Sequence, residues 1–282
     1  MKLNSNICII TGATDGIGKT TAVELAEKGF ILGLVGRDRG KGKKVVKEIS
    51  NLTGNNAIHY FNADLSLMSE NKRISLEIKN KFPVIDILIN NVGAAFFKKT
   101  FTEEGFETTF ALNHLSYFLF TKLLLKNLNK QCSRIVNVAS DAHFGAKLDF
   151  SDIQGVKSYE GYPNYKKSKL MNILFSYELA DRLKNTSTTV NCLHPGFVSS
   201  KFGHNNSGLK VILLRIAQKL QAINVKDGAK TSVYLASSTD IDVISGKYFY
   251  KKKVKESSPE SNDIDSRKRL WDITEKLLED LS

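Results

Sequence analysis

Proline and cysteine are both scarce in this chain, with 4 and 3 in 282 residues. So little proline beside 41% hydrophobic and 25% charged residues excludes a disordered chain or a fibrous repeat, and leaves a globular protein able to bury a substantial core. Cys8, Cys132 and Cys192 lie in apolar stretches without CxxC spacing or neighbouring histidines, which excludes a zinc cluster or disulfide framework and predicts buried thiols in a reducing compartment. His59, His114, His143, His194 and His204 show no metal-ligand spacing, so they read as loop or packing residues and no metal is expected. His194, beside Pro195, is the histidine expected nearest a cofactor. No apolar run approaches the ~18 residues of a membrane-spanning helix, and no cleavable signal precedes the first apolar strand. A soluble cytoplasmic protein is expected, and peripheral membrane contact is compatible with the chain.

Acidic residues are the minority: 29 stand against 41 lysines and arginines, a formal net charge of +12. Such an excess suits an anionic partner, whether nucleic acid, membrane surface or phosphorylated cofactor. Apart from the short run Lys251 to Lys255, the basic residues are scattered and lack interleaved aromatics, so they read as solvated surface and no nucleic-acid partner is expected.

Apolar runs of strand length at 6–11, 31–36, 57–62, 85–90, 133–139, 187–193 and 245–250 alternate with segments of helical period. After Arg37, for example, Val45, Ile49 and Leu52 recur at helical spacing among lysines, predicting one packed and one wet face. Repeated strand, helix, strand units predict a parallel sheet covered on both faces. No internal repeat or linker divides the chain, so one domain over 1–282 is expected to hold cofactor and substrate together. Within it, 196–225 reads as a substrate lid, where the loop Gly203 to Gly208 precedes a helix with Leu209, Ile212, Leu213, Ile216 and Leu220 on one face. Val211 and Leu214 lie on the other face among Lys210, Arg215 and Lys219, a pattern that suits an anionic membrane.

Directly after the first strand comes TGATDGIG, Thr11 to Gly18, with Gly12, Gly16 and Gly18 opening a helix. Glycines allow a tight turn and close backbone approach, while free N–H groups and the helix dipole receive a pyrophosphate, so a dinucleotide site is predicted. The second strand ends at Gly36-Arg37-Asp38, where an enzyme using NAD would place an acid on the ribose hydroxyls. Here that place holds glycine, and the guanidinium of Arg37 suits a 2′-phosphate. Asp38 reads as a helix N-cap.

Strand three ends in Ala63-Asp64-Leu65 and strand four in Asn90-Asn91-Val92-Gly93, at the sheet edge that presents loops to a ligand. Asp64 could accept from an adenine amine, or either motif could only form a turn. Further on, Phe106, Phe110, Asn113 and Tyr117 follow at steps of helical period, placing the Asn113 amide on an apolar face. A buried amide needs partners, and it could cap a backbone feature or anchor a water. Strand five runs into Ala139-Ser140, and the segment Tyr165-Lys166-Lys167-Ser168-Lys169 heads a long helix, with Tyr165 and Lys169 on one face. Tyr162 and Lys166 share that spacing, but Pro163 predicts a helix that starts just before Tyr165 and leaves Tyr162 outside its register.

TGATDGIG, Asp64, NNVG, Asn113, Ser140, YKKSK at 165–169 and Pro195-Gly196, in that order, resemble the short-chain dehydrogenase/reductase family from about residue 6 to the C-terminus. VGRD at 35–38, LNHLSYFLFT at 112–121, RIVNVAS at 134–140, HPG at 194–196 and RLWD at 269–272 are similar to its retinol-dehydrogenase branch. Three positions depart from the usual pattern: Val92 for alanine, Ala139 for serine and Ser200 for threonine. The branch often carries an N-terminal membrane anchor, and no such segment is read in this sequence.

The resemblance implies an α/β fold: one doubly wound Rossmann-like domain with a seven-stranded parallel sheet, order 3-2-1-4-5-6-7, and helices on both faces. It implies NADP(H) as cofactor and a small apolar alcohol or carbonyl as substrate, an aldehyde, ketone or retinoid-like compound. Cofactor contacts are implied at Gly12, Thr14, Asp15, Gly16, Ile17 and Gly18 in the first loop and at Arg37, Asp64 and Leu65 after the next two strands. Asn91, Gly93, Tyr165 and Lys169 continue the set, and Pro195, Gly196, Val198 and Ser200 complete it. Tyr165 is then the proton donor or acceptor, lowered from its free value of about 10 toward neutrality by Lys169 and an oxidised nicotinamide. Lys169 also binds the ribose, Ser140 orients the reacting oxygen, and Asn113 fixes its helix and a water that relays protons. Two other readings share the fold: a catalytically silent NADP(H)-binding regulator or scaffold, and a nucleotide-sugar epimerase or dehydratase. A homo-oligomer is compatible with the chain.

Overall fold

The computed structural model describes residues 6–196 and 224–279. Strands β1 (Ile7–Thr11), β2 (Ile31–Gly36), β3 (Ile58–Asn62), β4 (Ile87–Asn90), β5 (Ser133–Val138), β6 (Thr188–Leu193) and β7 (Lys247–Tyr250) form one sheet with a short β8 (Lys253–Lys255), in the order β3-β2-β1-β4-β5-β6-β7-β8. Every pairing from β3 to β7 is parallel. Neighbouring side chains on a strand enter opposite cores, as with Ile9 against Cys8 and Ile10, or Leu88 against Ile87 and Ile89. Such strands are buried on both faces, which is why they read as unbroken apolar runs.

Helices α1 (Gly16–Glu27), α2 (Arg39–Thr53) and α7 (Val225–Ser237) cover one face, through Ala22, Leu25, Val45, Ile49 and Val233. On the other face lie α3 (Met68–Lys81), α4 (Thr108–Phe110), α5 (Ser116–Leu124), α6 (Gly161–Arg182) and α8 (Ile264–Glu279), packed through Ile74, Ile78, Phe118, Leu174 and Trp271. Asp38 caps α2, its Oδ1 accepting from Lys41 N at 2.9 Å, as expected.

Several expectations need correction. The sheet has eight strands, because the chain reverses after β7 and β8 pairs antiparallel with it. Lys251 and Lys252 form the turn at φ 48° and 64°, the left-handed backbone that hairpin turns demand and that asparagine or glycine normally signals. The lysine run is therefore also an edge strand, whose charge discourages pairing with another chain. Leu52 is exposed: Gly42, Val45 and Ile49 form the buried face of α2. Cys132 is exposed in the turn before β5, unlike Cys8 and Cys192.

Helix α6 begins at Gly161 and so contains Tyr162 and Pro163. Proline is tolerated there because the first turn's N–H groups have no partner within the helix. Phe106 precedes α4, and a π-helical turn over Ala111–Leu115 joins α4 to α5, an extra residue that constant helical spacing did not foresee. Of the expected lid 196–225, only Gly196, Asn224 and Val225 belong to the described residues; Val198 and Ser200 lie outside them.

Candidate functional site

The carboxyl ends of β1 to β6 open onto one cleft of about 1090 Å³, which runs from the Gly12–Gly18 loop to Ser140, Tyr165 and Gly196. At one end, Gly12 turns at φ 65°, and a Cβ there would lie 2.8 Å from Val92 Cα. Gly18 similarly leaves no room for a side chain against Asn91 and the Gly12 carbonyl. Asp15 caps α1 through Gly16 N at 2.9 Å, and its other oxygen receives Lys41 Nζ at 2.6 Å. Asn91 ties the loop to β4, donating from Nδ2 to Thr11 O at 2.9 Å and Gly12 O at 3.3 Å. Thr11 Oγ1 in turn accepts from the N–H groups of Asn91 and Val92 at 2.9 and 3.1 Å. Thr14, Asp15, Gly16 and Ile17 line the cleft, and the glycines let this turn fold tightly against β4 at the N-terminus of α1, where a pyrophosphate is received.

Beyond β2 the wall is built by a residue that the motifs did not single out. Tyr60 on β3 places its hydroxyl 2.6 Å from Gly36 O and 2.8 Å from Asp38 O, holding the carbonyls of the residues that flank Arg37. A Cβ at Gly36 would meet Thr14 Cγ2 at 2.9 Å, so an acid is absent here and would also be crowded. Arg37 is exposed on the cleft wall and Lys41 lines it one helical turn further on. Asp64 and Leu65 line the same stretch, with Asp64 Oδ1 closing a turn on Ser66 N at 3.0 Å and Ser66 Oγ at 2.7 Å.

At the other end Ser140 leaves β5, and α6 brings Tyr165 and Lys169 beside it. The Tyr165 hydroxyl shares a hydrogen bond with the Ser140 side chain. Lys169 Nζ lies 5.7 Å from the Tyr165 ring centre and donates to Val138 O at 3.1 Å. Burial pushes the Tyr165 phenol above its ordinary value, and Ser140 only partly opposes this. The expected lowering is therefore not a property of the chain alone. Burial also pulls the Lys169 ammonium down to about 7. Tyr162 stacks on Tyr165 at 6.3 Å but is half exposed, so burial distinguishes it from Tyr165 and Lys169.

Asn113 is wholly buried in the π-helical turn. Its Oδ1 accepts from Ala94 N at 3.0 Å, and its Nδ2 donates to Ala94 O at 2.9 Å and Ser168 Oγ at 2.9 Å. The side chain thus holds the β4 loop against α6, the backbone-capping alternative. Asn172, unanticipated, donates from Nδ2 to Asn113 O at 2.6 Å; its position three residues after Lys169 was the available signal. Gly93 fits between these groups, since a Cβ there would approach Lys169 Nζ to 3.2 Å.

His194 lines the cleft beside Pro195 and Gly196, with Nδ1 accepting from Gly196 N at 3.1 Å. Burial lowers it to about 4. Its ring stacks on Tyr250 at 4.4 Å, a lining residue that no motif had marked, and Lys255, from the basic run at 251–255, reaches the same wall from β8. Among the described residues no cluster of histidine, cysteine and carboxylate groups could hold a metal, and no helix is long and apolar enough to cross a membrane.

The family model described as short chain dehydrogenase matches residues 6–208. Retinol dehydrogenase 11 of Homo sapiens is 36% identical over 279 residues, covering 99% of this chain and 87% of its own. A solved structure of a putative uncharacterized protein from Mycobacterium Paratuberculosis superposes with a TM-score of 0.79 at 26% identity, covering 99% of this chain and 96% of that one. An alcohol dehydrogenase from the archaeon Thermococcus sibiricus, complexed with 5-hydroxy-NADP, shares the fold with a TM-score of 0.68 at 19% identity, over 87% and 95% of the two chains.

Proposed function

This chain belongs to the short-chain dehydrogenase family, and from that premise we propose that it is an NADP(H)-dependent oxidoreductase acting on an apolar alcohol or carbonyl compound. Family membership makes it a nicotinamide-dependent oxidoreductase of CH–OH groups. The observation that carries the finer reading is one continuous cleft, with the glycine-rich turn Gly12–Gly18 and exposed Arg37 at one end and Ser140, Tyr165 and Lys169 at the other. The turn fits a dinucleotide because Gly12 and Gly18, where a Cβ would strike Val92 or Asn91, let the backbone fold tightly at the start of α1 along the cleft.

Gly12 to Gly18 would hold the pyrophosphate, Arg37 the 2′-phosphate, and Lys169 the nicotinamide ribose. When bound, the cofactor supplies or accepts the hydride. Tyr165 gives its proton to the carbonyl oxygen in reduction, and Ser140 donates a hydrogen bond to the same oxygen as charge develops there. A buried phenol that retains its proton suits the reducing direction without prior adjustment. Lys169, in place below the ring, supplies positive charge when the phenolate must form in oxidation.

Similarity to retinol dehydrogenases supports an apolar, retinoid-like or aliphatic substrate. NADPH and NADH oxidation by the purified protein across retinal, aliphatic aldehydes, quinones and ketosteroids tests this. Carbonyl-dependent oxidation with NADPH preferred is expected, and cofactor binding without turnover would instead make the chain a silent NADP(H) binder. Arg37→Ala should weaken NADPH by about 10- to 100-fold, the loss of one charge-assisted contact, and leave NADH nearly unchanged. An unaltered cofactor preference would remove Arg37 from the reading.

A further inference from the structure

Ser140 must keep its hydroxyl on Tyr165, yet it stands two residues beyond the end of β5, where strand pairing no longer holds the chain. Its peptide carbonyl is held by His143, whose Nδ1 lies 2.6 Å away. A carbonyl only accepts, so Nδ1 carries the ring's proton. The other nitrogen, Nε2, accepts from the backbone N–H of Ser258 at 3.0 Å. Both ends of the imidazole therefore impose the same neutral tautomer. The ring is wholly buried, against Phe144 at 4.2 Å and Tyr248 at 5.2 Å.

Ser258 is itself fastened. Its carbonyl accepts from Ser261 Oγ at 2.6 Å and Asn262 Nδ2 at 3.1 Å, and Ser257 Oγ lies 2.8 Å from the Tyr177 hydroxyl on α6. Since α6 also carries Tyr165, a brace runs from Ser140 through His143 and the 257–262 turn back to the helix of its catalytic partner. That turn lies beyond the 6–208 span matched by the family model.

We propose that His143 is a positioning residue for Ser140: neutral and Nδ1-protonated, it clamps the serine's peptide to the C-terminal turn and so holds the hydroxyl in register with Tyr165. The inference rests on the dehydrogenase reading above. His143→Phe keeps the ring's volume and removes both bonds, and kcat should fall about 10- to 100-fold, as a small misplacement of a catalytic group does, with NADPH affinity kept. His143→Asn retains a donor near the Nδ1 position but no acceptor for Ser258 N, and should recover only part of that loss. His143→Gln retains an acceptor for Ser258 N but no donor to Ser140, and should behave like the phenylalanine variant, which provides the comparison if that variant folds poorly.

The deciding measurement is the same substitution in a Ser140→Ala background, where it should cost less than about twofold because the group it positions is gone. A structural role would cost as much in both backgrounds, and that result overturns the proposal. Nitrogen-15 histidine spectra of the intact protein at pH 7 should show His143 neutral with its proton on Nδ1; the Nε2-protonated form overturns the clamp irrespective of activity. A wild type inert toward every carbonyl, with the expected tautomer, strikes down the dehydrogenase reading and the positioning role with it. An active wild type with equal costs in both backgrounds strikes down the positioning role alone.

Discussion

At the scale of single residues, Tyr165 and Lys169 are shifted in opposite directions by one cause. Desolvation disfavours each charged form, so the phenol holds its proton more tightly and the ammonium, lowered to about 7, holds its own less tightly. The two must therefore be tuned together, since a charged Lys169 is what would draw Tyr165 down. Tyr165→Phe should reduce turnover by roughly two to four orders of magnitude, the span expected for a lost general acid, while NADPH binding survives. Lys169→Ala should damage both turnover and cofactor affinity, and the double variant should be little worse than the poorer single one. Tyr162→Phe serves as the control: its ring only stacks on Tyr165, so the proton-transfer step should be largely kept. Initial rates and cofactor fluorescence titrations on the four proteins check this, and loss of the proton-transfer step in Tyr162→Phe with activity retained in Tyr165→Phe would move the acid to the other tyrosine.

At the scale of elements, the site depends on helices that converge from separate parts of the chain. The π-helical turn presents Asn113 to the β4 loop, and Asn172 on α6 engages the same turn. On its outer side α5 is covered by α8, where Trp271 packs edge-on to Phe118 at 4.6 Å and nearly parallel to Phe175 at 6.0 Å, under the Arg182 guanidinium. His114 from the π turn donates through Nε2 to Thr274 Oγ1 at 2.8 Å, since the threonine's own proton goes to Leu270 O. Trp271→Ala should cost about 3 to 5 kcal/mol of stability, the usual loss for a large buried aromatic. Urea unfolding of the variant checks it, and a loss below about 1 kcal/mol would mean that α8 contributes little as an anchor.

For the whole molecule, the buried titratable groups set a pH range of greatest stability. His114 is lowered to about 3 and His194 to about 4, and burial lowers His143 too. Between those values and the ordinary 6.5 the unfolded chain binds protons that the folded one excludes, so stability present above pH 6.5 is lost on acidification. Lys169 acts in the same sense at higher pH: between about 7 and the ordinary 10.5 the unfolded chain again carries the extra proton, and stability rises with pH. Tyr165, Tyr177 and Tyr248 are raised by burial, so above pH 10 ionisation of the unfolded chain takes stability away. Unfolding free energies should therefore be greatest between pH 7 and 10 and fall toward pH 5, each buried histidine adding up to ~1.4 kcal/mol per pH unit. A flat profile from pH 5 to 8 would contradict the burial of these rings.

Much of this protein was determined locally and could be read from the chain. Apolar runs buried on both faces declare a parallel sheet, a glycine-rich turn between strand and helix declares an anion cradle, and Tyr165 and Lys169 share a helix face because four residues make about one turn. The cap at Asp38 is local in the same way. What depended on contact between distant segments was not legible: the antiparallel β8, the hold of Tyr60 on the peptides around Arg37, the occupied side chain of Asn113 and the brace from His143 to Ser258. Both tyrosine–lysine pairs have identical spacing and the YKKSK resemblance favours Tyr165; what the tertiary structure adds is burial of Tyr165 and Lys169, with Tyr162 left half exposed. The same packing sets the direction in which Tyr165 and Lys169 are shifted. Desolvation is a property of the assembled surroundings, and no residue carries it in its own place in the sequence.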